Sequence, residues 1–419
     1  MSGRTPRSAD RITLQYHADK SDAAGDGLTA EFLLVATCCG WPPSDARDAK
    51  VRSAAAMVVD WDEVLRLVKR QRVFGLVHDA LQSAKVDCPA VVAGELAAPA
   101  QSIARWNLKL AAETIRLQRA LEAAGIPVLV LKGIPLAQLA YGSLRLKHSR
   151  DIDLLIPPAC AEAALRLVER DDYALVLPAR QLNATQRNAV VRYCREVELV
   201  NRVSKVRMEL QWRLADNPLL LKGVDVNSPA QSVRIGDSMN VRTLAADDLF
   251  AALCVHGAVH AWARLKWLAD LNALIATSGA DIAHLYRHAQ ERGAGLCAGQ
   301  ALLLCHHLFD LRLPQVVADQ IRSNRRTNQL ASIALDAMTA PQAPTERDLG
   351  FVDVVRGVRT QFLLGRGCAF FLAQCHAASV GPADIVRWPL PRPLHFLYPL
   401  MRLPSWLWRR ATAATARGH

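Results

Sequence analysis

Asp151-Ile152-Asp153 is the part of the sequence whose residue types and spacing point most directly to chemistry. The stretch Asp151 to Ile156 reads DIDLLI, a half-buried strand ended by Pro157-Pro158. Side chains two apart on a strand share a face, so Asp151 and Asp153 project together, about 6–7 Å apart at Cα. Ile152 and Leu154 point the other way, into a core. Two carboxylates facing one way repel unless a cation neutralises them. Mg²⁺ or Mn²⁺ does this with oxygen ligands, and Mg²⁺ commonly holds substrate phosphates as well. Two such ions about 4 Å apart can bracket a phosphoryl transfer.

A site of this kind calls for a third carboxylate, and Glu209 is the choice. In Val206–Trp212 the apolar positions Val206, Met208, Leu210 and Trp212 alternate with Arg207, Glu209 and Gln211. Period-2 alternation of this sort marks a strand with one core face and one polar face. A neighbouring antiparallel strand would deliver Glu209 beside the Asp pair, with Glu198 on the partner arm of a hairpin as its rival. Upstream, Lys132-Gly133 follows an apolar strand, Ile126–Leu131, and precedes a short helix, IPLAQLAYG. Glycine allows a tight turn, a helix N-terminus offers N–H groups to phosphate, and Lys132 adds a cation. The GxxxxGK[ST] spacing of a P-loop is absent.

A second set of polar residues lies downstream. Asp247-Asp248 opens a helix carrying His256, His260, Arg264, Lys266 and Asp270. His256 and His260 are four apart and share a face, as do Lys266 and Asp270. The pair lacks the Glu of HExxH and an obvious third ligand, so zinc is disfavoured. The histidines then either pack against the sheet or, with Arg264 and Lys266, contact phosphate or acceptor. His306-His307 and Cys368/Cys375 read as residues without a catalytic role.

These residues need a frame. The strands just named, with a helix at 159–170 and a strand at Tyr173–Leu177, make a small α+β unit over 125–245. Helical patterns flank it: 29–40, 60–77 and 101–124 before it, and 246–277 and 281–310 after it, with Arg322–Thr327 as a charged connection. The expected organisation is a disordered leader (1–28), an N-terminal helical region (29–124), the α+β core (125–245), a C-terminal helical domain (246–385) and a basic tail (386–419).

The chain has 419 residues, 51% of them hydrophobic and 21% charged, a core-forming composition that excludes wholesale disorder. Its net charge is +12, which favours a phosphate-bearing or other polyanionic partner. Residues 351–419 hold nine Lys/Arg and two Asp/Glu, so most of the excess lies outside the acidic constellation. In the tail, Trp388, Trp406 and Trp408 with Arg387, Arg402, Arg409 and Arg410 could contact an anionic bilayer surface peripherally. Ten cysteines without a CxxC pair, an N-terminus without an apolar signal core and no long uncharged apolar run point to the cytoplasm. No recognised nucleic-acid module is present.

The run LVLKGIPLAQLAYGSLRLKHSRDIDLLIPP, followed by MELQWRL and by DDLFAALCVHGAVHAWARLKWLADL, resembles the bacterial family of uncharacterised nucleotidyltransferases in the polymerase-beta-like superfamily. The resemblance implies metal-dependent transfer of a nucleoside monophosphate from an NTP to an acceptor hydroxyl, with pyrophosphate released. It assigns Asp151, Asp153 and Glu209 to metal and catalysis, and Lys132, Gly133, Lys147 and Arg150 to the nucleotide. Two positions depart from the family's pattern. Gln211 stands where His is usual, and Lys147 where Arg is common. They motivate an alternative, a catalytically degenerate nucleotide-binding or scaffolding protein. A nucleic-acid binder is the more distant alternative.

Overall fold

The computed structural model describes residues 28–179, 181–236, 239–340, 351–402 and 404. The expected leader lies outside the described residues apart from Leu28, and so do Trp406, Trp408, Arg409 and Arg410 of the tail. Five helices come first: α1 (Ala30–Cys38), α2 (Asp45–Ala55), α3 (Trp61–Gln71), α4 (Phe74–Ser83) and α5 (Ala90–Ala123). The α+β section follows as β1 (Leu129–Val130), α6 (Ile134–Tyr141), β2 (Asp151–Leu155), α7 (Ala161–Arg170), β3 (Tyr173–Leu177), α8 (Ala184–Tyr193), β4 (Glu196–Asn201) and β5 (Arg207–Gln211). A separate hairpin, β6 (Ala230–Ile235) and β7 (Met239–Leu244), closes it. Then come α9 (Ala246–Val259), α10 (Leu265–Ser278), α11 (Ile282–Glu291), α12 (Gly295–Phe309), α13 (Gln315–Ser323), α14 (Arg325–Thr339), α15 (Phe351–Leu363), α16 (Gly367–Ser379) and α17 (Pro382–Arg387). The fold is α+β and helix-dominated, with a small mixed sheet.

That sheet runs β1-β2-β5-β4-β3. The hairpin β4–β5 is antiparallel, as the alternation predicts, but β5 lies parallel to β2, with Asp153 opposite Glu209. The expected antiparallel neighbour is therefore wrong in direction. The chain passes through α7, β3, α8 and β4 before β5 docks, and that path returns β5 in the sense of β2. Ile152, Leu154, Met208 and Leu210 are buried on one face, where Leu110, Leu117 and Leu121 of α5 join the same cluster. Burying each such side chain contributes about 1.5–3 kcal/mol, which fixes the register and leaves the carboxylates on the other face.

A second apolar cluster joins α1–α4 to α9, α10, α12 and α14. The helices before and after the α+β section thus share one core. The carboxylate face of the sheet looks toward it.

Several boundaries differ from the sequence pattern. The helix expected across 60–77 is broken at Arg72, which is left-handed (φ 58°) and caps α3. The long pattern at 246–277 is two helices, because Ala261 and Trp262 take φ of 49° and 48°. No glycine or proline signals that break. Trp262 folds back instead, its N–H bonding Gly257 O at 2.8 Å and its fully buried indole filling the place where a Gly257 side chain would be. The connection expected at Arg322–Thr327 shrinks to Asn324, which ends α13 and caps α14. Only Leu129–Val130 of the first apolar run pairs as strand, α5 begins eleven residues before its pattern is clear, and α2, α8 and the β6–β7 hairpin, whose Val233, Ile235, Met239 and Val241 alternate with polar residues, add to the expected elements.

Candidate active site

The site is built on the polar face of the sheet. Asp151 and Asp153 come from β2 and Glu209 and Gln211 from β5. Glu196 and Glu198 follow on β4, opposite Gln211 and Glu209. Glu198, the rival third acid, is held by Arg207, while Glu209 lies against Asp153. Glu196 was not anticipated, because its strand gave no reason to separate it from Glu198. It pairs with Arg195 at 2.7 Å.

Asp153 is the most enclosed of the acids, at 2% exposure. Lys132 Nζ lies 2.7 Å from Asp153 Oδ1. The Gln211 amide donates to Asp153 Oδ1 at 3.2 Å and to Glu209 Oε2 at 3.0 Å. Burial pushes Asp153 up to about 6 against the pull of Lys132, and the neighbouring Glu209 adds to the rise. Burial and the charge of Asp153 likewise raise Asp151. Burial opposes the Lys132 ammonium, but Asp153, Glu209 and Asp151 together carry its pKa above the ordinary lysine value. The face therefore carries more negative charge than its lysine answers, which is an environment suited to a divalent cation. Among the described residues no three acidic, imidazole or thiol groups already converge as a closed metal cage.

Gly133 shapes the rim. It has φ 66° and ψ −117°, a conformation open to glycine, and an added Cβ would come 3.4 Å from Asp151 O. It precedes α6, where Pro135 removes one of the free N–H groups. Beside it Ser149 is buried, and its hydroxyl has no partner among the described residues. The backbone at Ser149 is clamped by Trp106 Nε1 to its carbonyl (2.8 Å) and by its own N–H to Asn107 Oδ1 (3.3 Å).

A cleft of about 190 Å³ opens over the acids, lined by Arg72, Lys132, Gly133, Ser149, Arg150 and the three carboxylates among others. His256, His260, Lys266 and Trp267, from α9, α10 and the turn between them, line it as well. The structure thus gathers ten of the eleven residues singled out from the sequence; Arg264, at the N-terminus of α10, does not line the cleft. Lys147 lines it but is already engaged. Its Nζ lies 2.7 Å from Asp270 Oδ2, and both residues are buried. Tyr141 donates to Asp270 Oδ1 at 3.0 Å, completing a tie between α6, the turn before β2 and α10. Arg150 is exposed, and burial with Lys147 lowers Lys266 to about 8. Arg72, Ser149 and Trp267 carried no signal in the sequence that would have placed them here.

The histidines are ring neighbours. His256 and His260 have centroids 4.8 Å apart, and Trp267 lies 5.4 Å from the first and 5.3 Å from the second. Burial, then Lys132, holds His256 well below the ordinary histidine value. His260 moves the same way through desolvation and the charges of Arg195 and Lys132, although its ring remains open to solvent.

The ten cysteines are free, and no helix among the described residues is long and apolar enough to cross a membrane. No curated protein matches the sequence closely enough to compare. Residues 58–310, more than half of the chain and the whole of this cleft, match the family described as uncharacterised nucleotidyltransferase. With the acids, the lysine-glycine turn and the cleft all inside that match, the chain belongs to the uncharacterised nucleotidyltransferase family.

Proposed function

We propose that the protein transfers a nucleoside monophosphate from an NTP to an acceptor hydroxyl and releases pyrophosphate, as in the polymerase-beta-like superfamily. The observation that carries this reading is the pairing of Asp153 with Glu209 across parallel strands, Asp151 two residues away, under a cleft with basic walls. Asp151, Asp153 and Glu209 are the residues that would hold Mg²⁺ or Mn²⁺. Mg²⁺ is commonly bound by one or two carboxylates together with substrate phosphates, so a closed protein cage is not required. Such an ion supplies charge neutralisation at the phosphates when bound.

The remaining roles belong to the chain's own groups. Arg150 and Lys266 would meet the triphosphate, and the Ser149 hydroxyl beside Gly133, without a partner among the described residues, would donate to a phosphate oxygen. Burying a hydroxyl without a partner costs about 1–3 kcal/mol, which a phosphate contact would recover. Lys132 keeps Asp153 ionised and orients it. Glu209, acting with Asp153, accepts the proton of the attacking hydroxyl. Lys147 acts on the nucleotide only indirectly, by fixing α10 through Asp270. The cleft is smaller than the ~300 Å³ usual for a small-molecule pocket, so the nucleotide would extend over its rim.

Gln211 weighs against the degenerate alternative. It occupies the position of the family's usual His as a double donor between two of the acids, an arrangement that organises them. Incubating the protein with α-labelled NTPs, Mg²⁺ and extract, then identifying labelled products by mass spectrometry, tests the proposal. Label in an acceptor supports it; nucleotide binding with no label transferred favours the scaffold. A peripheral membrane contact by the tail is proposed separately: Trp388, Phe396 and Leu400 are exposed close to Arg387 and Arg392 in sequence. Flotation with anionic vesicles, with and without residues 386–419, tests it.

A further inference from the structure

Part of the lining of the cleft is aromatic. Trp267 and His260 are tilted by 32° with centroids 5.3 Å apart, and His256 stands edge-on to Trp267 at 87°. The indole of Trp267 is half-buried and the imidazole of His260 is exposed, so part of the cluster is open to the cleft. Its buried side is built in. Trp262 packs onto Gly257 and fixes the turn that ends α9, and Leu265 N–H donates to the buried Gln71 Oε1 at 2.7 Å where α10 begins. The two ends of that turn carry His260 and Trp267.

Lys132, Arg72, Arg150 and Lys266 of the same cleft are cations suited to phosphate, whereas the indole of Trp267 offers a flat π-face that phosphate does not use. The low pKa of His256 leaves its ring neutral at neutral pH, so it adds to an apolar face rather than to the cationic one. Every nucleobase has a π-face, and stacking on an aromatic side chain is tolerant of base identity. We infer that Trp267 and His260 form the nucleobase subsite, with His256 as the edge-on support behind Trp267. This rests on the nucleotidyltransferase reading and extends it by assigning the base to the α9–α10 turn. His260 and Trp267 already touch, so the base stacks on their open face rather than between them. Stacking strength grows with ring area, so the subsite should accept purines ahead of pyrimidines.

The test is equilibrium dialysis of the full chain with ATP, CTP and inorganic tripolyphosphate in Ca²⁺ buffer, compared across wild type, W267A, W267F and H260A. Expected is about ten-fold or greater loss of ATP affinity in W267A, a smaller loss in H260A and near-retention in W267F. Tripolyphosphate affinity should change less than two-fold in all three, and wild type should bind ATP more tightly than CTP. Equal weakening of ATP and tripolyphosphate in W267A, or ATP binding unchanged in both W267A and H260A, overturns the base subsite while leaving nucleotide binding in place. Wild-type protein that binds neither ATP nor tripolyphosphate overturns the nucleotidyltransferase reading itself, and the subsite with it.

Discussion

Asp153 and Glu209 stand opposite one another on adjacent parallel strands, with Lys132 against Asp153 and the Gln211 amide donating to both carboxyls. The proximity is enforced by the apolar residues that flank them on each strand. Ile152, Leu154, Met208 and Leu210 must all face the core, so neither strand can slip by one residue without exposing its whole buried set. The acids are therefore held close by packing that is indifferent to their mutual repulsion. The proposed metal ion would answer the negative charge that Lys132 leaves on this face.

The first prediction concerns that cation. D151N and D153N should each lower nucleotidyl transfer by about 10³-fold or more, since several kcal/mol of charge stabilisation are removed from the reacting phosphate. Both variants should remain folded, because Asn keeps the shape and the core face is untouched. In differential scanning fluorimetry, Mg²⁺ with a nonhydrolysable NTP should raise the wild-type Tm. A Mg²⁺ concentration of 100 times Kd corresponds to about 2.7 kcal/mol of stabilisation. The rise should vanish in D153N. A full Mg²⁺ response in both Asn variants removes these acids from the metal site.

Gln211 gives the second prediction. Its amide is buried and supplies hydrogen bonds to both Asp153 and Glu209. In Q211L the two acids lose a shared donor, so the proton-free pair that a cation needs becomes harder to form. Groups that orient metal ligands typically contribute 10–100-fold in metal affinity or activity. Titration of transfer rate against Mg²⁺ should show the half-saturating concentration rising by about that factor in Q211L, with Q211H falling between. Unchanged Mg²⁺ dependence in Q211L means the amide fills space only.

These two cases show what the sequence disclosed. The period-2 alternation of β2 and β5 put Asp151, Asp153 and Glu209 on polar faces, and that followed from residue type alone. Strand direction did not, because it depends on the path through α7, β3, α8 and β4, and no local spacing encodes it. The role of Gln211 was hidden for a related reason. Whether a glutamine bridges two acids or faces solvent depends on the neighbouring strand. Trp262 is the plainest failure of local reading: a left-handed tryptophan in an apolar helical pattern is dictated by the room over Gly257, a tertiary fact.

A third prediction follows from the buried pair Lys147–Asp270. Lys147 carries a charge that looked suited to phosphate, but its ammonium is 2.7 Å from Asp270, which also accepts from Tyr141. Removing one partner of a buried ion pair leaves an uncompensated charge and typically costs about 3–5 kcal/mol. K147M should therefore lower stability by about that amount in chemical denaturation. The double variant K147M/D270L, which removes both charges, should recover much of it. If K147M instead unfolds like wild type and weakens ATP binding by itself, the lysine is a nucleotide ligand and the pair is incidental.

Lys266 supplies the last prediction, a pH dependence. It faces Lys147, Asp270, Asp151 and Arg264, and burial, helped by Lys147, brings it down to about 8 in the free protein. The charged form holds below that value and is lost above it. Binding an anion favours the charged form, so ATP affinity should be level below about pH 8 and fall as pH rises beyond it. Above that value each binding event takes up one proton, which sets a limit of about ten-fold per pH unit. K266R retains its charge throughout this range, so its affinity should stay level to pH 9.5 even if its absolute value shifts. K266M should bind weakly and without this decline. Measuring ATP affinity from pH 7 to 9.5 separates the cases, since the terminal phosphate is ionised across the range in all three proteins. A decline of equal steepness in K266R would assign the titration to another group and leave Lys266 without a phosphate role.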